Sequence, residues 1–238
     1  DDKADVQALE LDMHGQGVSV DGLKFKLKYE GSVVPVILPG VIGENAISAS
    51  LAAAAVGISM GMNLVDVAQG LQNYDAPRGR MKLIKGIKHT LLIDDTYKGG
   101  PESTVSGLKT LKKLELAKGC QRIAVLGDML ELGNYTEEAH KVVGEQVYDS
   151  EVDILITVGQ LGGLIAQSAQ AIGMDAGHIY SFDYSQEAGN FLQDRMKKGD
   201  IILIKGSQGV RMEKIVKEVM ADPLHAKNLL VRQGKGWV

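Results

Sequence analysis

Short apolar runs alternate with helical segments from residue 81 onward, and this alternation limits the possible folds more than any other feature. The runs have the length of buried strands, and the segments between them have the length and polarity of helices. A parallel sheet covered by helices on both faces produces this pattern, because its strands are buried on both sides. Strands are predicted at 90–93, 122–126, 154–158 and 201–204, with weaker ones at 178–182 and 229–232.

The intervening segments predict five helices, and the preceding part of the chain has a different character. The helices are expected at about 102–116, 136–149, 160–171, 185–197 and 209–220. Before them, residues 5–38 alternate polar and apolar side chains as strands do, with a hairpin-type turn at Asp21-Gly22 and an edge strand around Pro35.

Two helices, at 43–60 and 64–72, follow these strands. The run Asp75-Ala76-Pro77-Arg78-Gly79-Arg80 breaks the helical pattern, and we place a domain boundary there. The expected fold class is therefore α/β, with one domain in residues 1–78 and a mainly parallel Rossmann-like domain in residues 79–238.

Composition excludes several classes of function. A net charge of −4 and only eleven aromatic residues among 238 argue against a nucleic-acid partner. The longest apolar stretches are too short to span a bilayer, and the charged start lacks the apolar core of a signal peptide. We therefore expect a cytoplasmic protein without membrane insertion.

Four predicted strands end in unusual turns, and the carboxyl ends of parallel strands meet at one edge of a sheet. Glycines in these turns let backbone N–H groups approach a ligand, and each following helix start favours an anion. Asp94, Asp95 and Asp128 could hold hydroxyls, an ammonium group or Mg²⁺, and Lys205 and Arg211 add positive charge. Any one of these turns is more often an ordinary connector, but four together indicate an active cleft.

Standard nucleotide and metal motifs are missing from the sequence. No G-x-x-x-x-G-K-[ST] run is present, and no G-x-G-x-x-G follows a strand. The five histidines are far apart, and the chain has one cysteine, so no metal site is predicted within it.

Taken together, the motifs resemble those of the Mur ligases. They are Gly79-Arg80-Met81, Ile93-Asp94-Asp95-Thr96-Tyr97 with Pro101-Glu102-Ser103, the run from Ala124 to Gly133, and Lys205-Gly206-Ser207-Gln208-Gly209-Val210-Arg211-Met212-Glu213. Within the family they are closest to members that add D-alanyl-D-alanine to a UDP-N-acetylmuramoyl tripeptide, an ATP- and Mg²⁺-dependent step of peptidoglycan precursor synthesis.

The resemblance implies the rear half of a three-domain ligase, with residues 1–78 ending the central ATPase domain. The P-loop and most Mg²⁺ ligands of the family would lie outside this chain, which by itself would be inactive. No catalytic residue is assigned within it. The resemblance implies nucleotide contacts at Asn45, Arg80, Asp95 and Lys98, and contacts to the incoming dipeptide at Asp128, Lys205, Ser207 and Arg211.

The sequence departs from the family pattern at two places. The family helix usually starts with a Gly-x-His-Asn pattern and carries a further Asn three residues on, and at those three positions this chain has Asn45, Ala46 and Ala49. The family also has amides after the Asp-Asp-Thr-Tyr run, where this chain has Lys98-Gly99-Gly100. Two alternatives therefore stand beside the ligase hypothesis: a non-catalytic Mur-like binding module, and a related ligase of the folylpolyglutamate or cyanophycin type. The oligomeric state is open.

Overall fold

The computed structural model describes residues 3–237 and begins with a small antiparallel sheet. Its strands are β1 (Val6–His14), β2 (Gly22–Tyr29) and β3 (Ser32–Pro39), in that order across the sheet. Alternate side chains of β2 are buried, as the period-two pattern predicts. Pro35 lies in β3, which pairs only with β2 among the described residues, so the predicted edge strand is confirmed.

Two helices, α1 (Glu44–Ser59) and α2 (Leu64–Gln72), follow the small sheet close to their predicted positions. Asn63 caps α2, because its side-chain oxygen accepts the Asp66 N–H. Gly61, with a φ of 89°, follows the end of α1 as a left-handed cap.

A six-stranded sheet forms the second half of the molecule. Its strands in chain order are β4 (Lys82–Gly86), β5 (Thr90–Asp95), β6 (Arg122–Gly127), β7 (Ile154–Val158), β8 (Ile179–Phe182) and β9 (Ile201–Lys205). Across the sheet the order is β4-β5-β9-β6-β7-β8. β4 is antiparallel to β5, and the other neighbours are parallel.

Helices cover both faces of this sheet. They are α3 (Pro101–Lys113), α4 (Thr136–Asp149), α5 (Gly162–Ala171), α6 (Ser185–Arg195), α7 (Glu213–Val219) and α8 (Ala226–Leu229). Neighbouring residues of β9 enter opposite cores. Leu203 belongs to the core that includes side chains of α3, α4 and the small sheet, whereas Ile204 belongs to the core that includes side chains of α6 and α7. The predicted α/β class with a mainly parallel sheet is confirmed. Among residues 3–237, no helix has both the length and the apolar character to cross a membrane.

Four local predictions need correction. Residues 229–232 form no strand, because helix α8 runs to Leu229 and the described residues after it pair with no strand of the sheet. The connection before β2 spans residues 15–21 and includes a 3-10 turn, so Asp21-Gly22 is not a two-residue hairpin turn. The helix predicted at 209–220 is a 3-10 turn followed by α7. Strand β4 was not predicted, since its five residues carry a mixed polar pattern.

Backbone contacts join the two halves. The N–H of Ile42 donates to the Met81 carbonyl at 3.3 Å, and the N–H of Leu83 donates to the Gly40 carbonyl at 2.9 Å. These bonds bring the start of α1 next to the carboxyl end of β5.

Candidate functional site

A cleft of about 650 Å³ lies at the carboxyl end of β5, facing the start of α1. Its walls come from residues 41–49, 74–81 and 95–107, and Lys205 reaches it from the end of β9. This edge is where open α/β sheets bind their ligands. Five of the eight predicted site residues line the cleft: Asn45, Arg80, Asp95, Lys98 and Lys205.

A buried ion pair forms the floor of the cleft. Lys205 Nζ lies 2.6 Å from Asp95 Oδ2, and the two side chains are 2% and 10% exposed. Asp95 stands opposite Lys205 in the register of β5 and β9, so the sheet itself places the two groups together. Because a buried charge needs a partner, each side chain supplies the counter-charge of the other. The Asp95 carboxylate also accepts the Met81 N–H at 3.2 Å.

The exposed positive charge of the cleft comes from its loops. The Arg80 guanidinium lies 4.2 Å from the ring centroid of Tyr97, a cation–π contact that holds both side chains at the cleft wall. Lys98 is exposed, and its backbone carbonyl accepts a hydrogen bond from Lys205 Nζ at 2.9 Å. Cations at the wall and a carboxylate at the floor suit a ligand with phosphates and hydroxyls.

The first turn of α1 forms the opposite wall. Gly43 precedes the helix with a φ of 102°, and Asn45 follows in the first turn with an exposed side chain. Ala49 also lines the cleft, with a methyl group in place of the amide that the family resemblance leads us to expect there.

Asp128 lies outside the lining of this cleft and caps α5. Its Oδ1 accepts the Gly162 N–H at 2.7 Å, in the first turn of the helix. Burial raises the pKa of the Asp128 carboxyl, and the hydrogen bond from Gly162 opposes that shift. The Asp128 carbonyl also accepts the Ser207 N–H at 2.9 Å, which joins the ends of β6 and β9.

Ser207 is buried and holds neighbouring loops together. Its hydroxyl accepts the Leu130 N–H at 2.8 Å and donates to the Gly99 carbonyl at 3.4 Å. A Cβ atom on Gly99 would lie 2.6 Å from the Ser207 nitrogen. The close approach of these two backbones therefore explains the glycine in Lys98-Gly99-Gly100.

Arg211 also lies outside the cleft lining and already has partners. Its Nε donates to Glu213 Oε1 at 2.6 Å, and its Nη2 donates to the Trp237 carbonyl at 2.7 Å. Glu213 is fully buried, and its second oxygen binds Arg232 at 2.9 Å. Arg232 was missed by sequence reasoning, because it follows every motif and falls in a segment predicted as strand.

Asp94 is fully buried beside the cleft floor. Its Oδ1 accepts from the Thr96 hydroxyl at 2.6 Å and from the Thr96 N–H at 3.2 Å, while Oδ2 has no partner among the described residues. Burial raises the pKa of Asp94 to about 6, against the lowering effect of the Thr96 bonds. Within residues 3–237, no three histidine, cysteine or carboxylate side chains converge on a point that could hold a metal ion.

The family model described as "Mur ligase, glutamate ligase domain" matches residues 79–208. The chain is 31% identical over 184 residues to the UDP-N-acetylmuramoyl-tripeptide–D-alanyl-D-alanine ligase of Bacillus subtilis (strain 168). The aligned segment covers 77% of this chain and 40% of that protein. The enzyme of the same name from Escherichia coli (strain K12) is 30% identical over 202 residues, covering 84% and 42% respectively. The chain thus spans about two fifths of the length of these relatives.

Solved structures agree with these similarities. MurF from Acinetobacter baumannii superposes with a TM-score of 0.76 at 26% identity, covering 94% of this chain and 46% of that one. MurF from Thermotoga maritima in complex with ADP gives a TM-score of 0.73 at 20% identity, covering 94% and 47%. At that lower identity the second likeness supports the fold alone.

Proposed function

This chain belongs to the Mur ligase family, and from that premise we propose that it forms the rear part of an ATP-dependent peptide ligase. The substrates we propose are a UDP-N-acetylmuramoyl tripeptide and D-alanyl-D-alanine, the compounds in the names of the curated relatives. The observation that carries the proposal is the cleft, which gathers cations and the Asp95 carboxylate at the carboxyl end of β5. The proposed site of action is the cytoplasm.

We further propose that residues 1–78 end the central ATPase domain and that residues 79–238 form the C-terminal domain. The family match begins at residue 79, and the small sheet is separate from the larger one. The cleft lies between the start of α1 and the loop after β5, so a nucleotide bound there would contact both domains.

In this proposal the nucleotide occupies the cleft. Arg80 and Lys98 contact its phosphates, because both carry exposed positive charge at the wall. Asp95 accepts hydrogen bonds from ribose hydroxyls with the lone pairs that Lys205 leaves free. Asn45 contacts the base from the first turn of α1.

The reaction we propose is amide formation through an acyl phosphate. A carboxylate is a poor electrophile, so the terminal carboxylate of the tripeptide attacks the γ-phosphorus of ATP, and ADP leaves. The amine of D-alanyl-D-alanine then attacks the acyl carbon, and phosphate leaves while the amine loses a proton. Both transfers need reactants held in line and negative charge neutralised.

For the dipeptide, we propose that Asp128, Lys205, Ser207 and Arg211 shape its site near the ends of β6 and β9. Lys205 and Ser207 are buried and bonded to neighbouring loops, so they would act mainly by holding those loops. The Arg211 side chain is 24% exposed, more than those of Lys205 and Ser207. Arg211 is therefore the candidate to bind the dipeptide carboxylate.

Mg²⁺ does not fit a site made by the described residues alone. Asp95 is already neutralised by Lys205, and the described part of the chain offers no convergent set of three ligands. We therefore propose that the metal is held by the nucleotide and by residues outside this chain, and we assign it no step here.

A chimera tests the proposal. The amino-terminal part of the Bacillus subtilis relative, up to the segment aligned with this chain, is fused ahead of it, and phosphate release is measured with the tripeptide substrate and ATP. We expect turnover that depends on D-alanyl-D-alanine, whereas the chain alone binds ATP weakly or not at all in calorimetry. A folded chimera without turnover would support the non-catalytic module instead. A preference for glutamate over the dipeptide would support the related ligase.

A further inference from the structure

Three consecutive backbone carbonyls of the loop after β5 are held by buried cations. Arg232 Nη2 donates to the Thr96 carbonyl, and its Nη1 donates to the Tyr97 carbonyl at 3.3 Å. Lys205 Nζ donates to the next carbonyl, that of Lys98, at 2.9 Å. The loop that presents Tyr97 and Lys98 to the cleft is thereby fixed from its rear.

Glu213 holds the guanidinium of Arg232 in place. The carboxylate is fully buried at the start of α7, and its Oε2 accepts from Arg232 Nη2 at 2.9 Å and from Nε at 3.1 Å. The Arg232 side chain is only 6% exposed. A planar guanidinium can satisfy a carboxylate and two carbonyls together, which a lysine ammonium cannot do with the same geometry.

The same chain segment also contacts the second loop of the cleft. A Cβ atom on Gly79 would lie 2.8 Å from the Tyr97 nitrogen and 3.1 Å from Val231 Cγ1. The Tyr97 N–H donates to the Gly79 carbonyl at 3.0 Å. Residues 231–232 therefore pack against both loops that carry the exposed cations of the cleft.

From these contacts we infer that Arg232 is a positioning residue for the nucleotide cleft, acting through Glu213 and the carbonyls of Thr96 and Tyr97. It touches no substrate itself. Its effect is to keep Tyr97 and Lys98 where Arg80 stacks and where phosphates would bind. The inference rests on the proposed function, and it extends that function to a segment beyond residue 208, where the family match ends.

Hydrogen exchange of the chain tests the positioning role directly. Arg232→Lys keeps a positive charge beside Glu213 but loses the forked contact to the loop carbonyls. We expect the amides of residues 96–100 to exchange about tenfold faster in this variant, because the loop opens locally. Peptides from β6 and β7 should keep their wild-type exchange rates.

Lys88→Gln is the matched control. Lys88 Nζ also donates to two backbone carbonyls, those of Gln193 at 2.6 Å and Met196 at 3.2 Å, but in the turn before β5 at the other end of the strand. This variant should leave exchange at residues 96–100 unchanged. Unchanged loop exchange in Arg232→Lys, or equal acceleration in both variants, would overturn the inference.

The chimera gives a second readout. There, Arg232→Lys should raise the KM for ATP about five- to tenfold with kcat within twofold, since nucleotide binding is weakened more than chemistry. A fall in kcat alone, with KM unchanged, would contradict the positioning role. If the chimera carrying wild-type Arg232 shows no turnover, the proposed function fails, while the exchange experiment still decides the role of Arg232 in the loop.

Discussion

Lys205 and Asp95 are 110 residues apart in the sequence, yet their side chains form a 2.6 Å ion pair beneath the cleft. The last strand of this sheet in the chain, β9, lies between β5 and β6. The pair therefore forms only when β9 is paired with β5. Its burial makes it sensitive to the loss of either partner, because the remaining charge has no water to solvate it.

Replacing Lys205 should destabilise the protein strongly. Lys205→Met leaves the Asp95 carboxylate buried without its cation, and we expect a loss of about 3–5 kcal/mol in the free energy of unfolding, measured by urea denaturation. Lys82→Met is the control, since Lys82 is nearly as buried but its partner Asp75 is 95% exposed. That variant should lose about 1 kcal/mol. Equal losses in the two variants would contradict the importance of the buried pair.

The sequence predicts the parallel sheet well because its strands are apolar on both faces. The buried runs at β5, β6, β7 and β9 leave few alternatives to a covered sheet, and their common carboxyl edge follows from parallel pairing. The periodicity of apolar residues alone could not identify β4, a strand of only five residues that pairs antiparallel to β5 at the edge of the sheet. Periodicity also predicted a strand at residues 229–232, since three apolar residues followed by an arginine fit either a strand or a buried carboxyl-terminal segment.

The sequence also predicts some of the site residues' positions but not their contacts. Asp95 and Lys205 end neighbouring strands, so topology brings them together, as the sequence implied. Asp128 and Ser207 lie at the same edge, but their side chains turn toward helix α5 and the loop at Leu130. A motif specifies where a residue is in the chain, whereas the rotamer and partners that decide its access depend on packing. Arg232 lies outside every motif, so only the three-dimensional contacts identify it.

Gly99 should tolerate no larger residue. A methyl group there would lie 2.6 Å from the Ser207 nitrogen, so either the loop after β5 or the end of β9 must move. We expect Gly99→Ala to lower the free energy of unfolding by about 1–3 kcal/mol. Gly100→Ala is the neighbouring control, because its methyl group would meet the Ser103 hydroxyl at an ordinary 3.7 Å. Comparable melting temperatures for the two variants would show that the close approach is unimportant.

Asp94 should make stability fall as the pH rises from about 4 to 6. Its pKa of about 6 in the folded protein exceeds the ordinary value of 3.8, so the folded state binds a proton that the unfolded state has released. The contribution is complete below pH 4 and disappears as the pH passes 6, with a size of about 3 kcal/mol.

Asp94→Asn should therefore flatten this part of the pH profile, measured by urea denaturation at several pH values. Asp128 and Asp200, whose pKa values burial also raises, add slopes of the same sign. Asp12, Glu137 and Glu151, whose pKa values are lowered by lysine partners, add slopes of the opposite sign. Asp194→Asn, at an exposed position on α6, should reproduce the wild-type profile. An Asp94→Asn profile as steep as that of the wild type would exclude Asp94 as the titrating group.

Two substitutions of Asp128, which caps α5, distinguish the contribution of its hydrogen-bond acceptor from that of its negative charge. Asp128→Ala removes the acceptor for the Gly162 N–H, and we expect a loss of about 1 kcal/mol in the free energy of unfolding. Asp128→Asn keeps a carbonyl oxygen at that position and should lose less. If the two variants are equally destabilised, the negative charge rather than the hydrogen-bond acceptor stabilises the helix start.

Arg80 should control nucleotide affinity through both its charge and its stacking on Tyr97. Arg80→Lys keeps the charge but loses the planar contact with the ring, which lies 4.2 Å from the guanidinium carbon. In the chimera we expect the KM for ATP to rise about threefold in Arg80→Lys and about tenfold or more in Arg80→Ala, because only the second removes the cation.

Arg195→Ala is the control for a lost cation–π contact away from the cleft. Arg195 lies 5.6 Å from the ring of Tyr180, at the end of α6, whose core is the one on the opposite side of the six-stranded sheet from the small antiparallel sheet. Its removal should leave the KM for ATP unchanged. If Arg195→Ala also raises the KM for ATP about tenfold, the effect of Arg80→Ala would reflect general destabilisation. If only the Arg80 variants raise it, the phosphates bind at the wall formed by residues 80, 97 and 98.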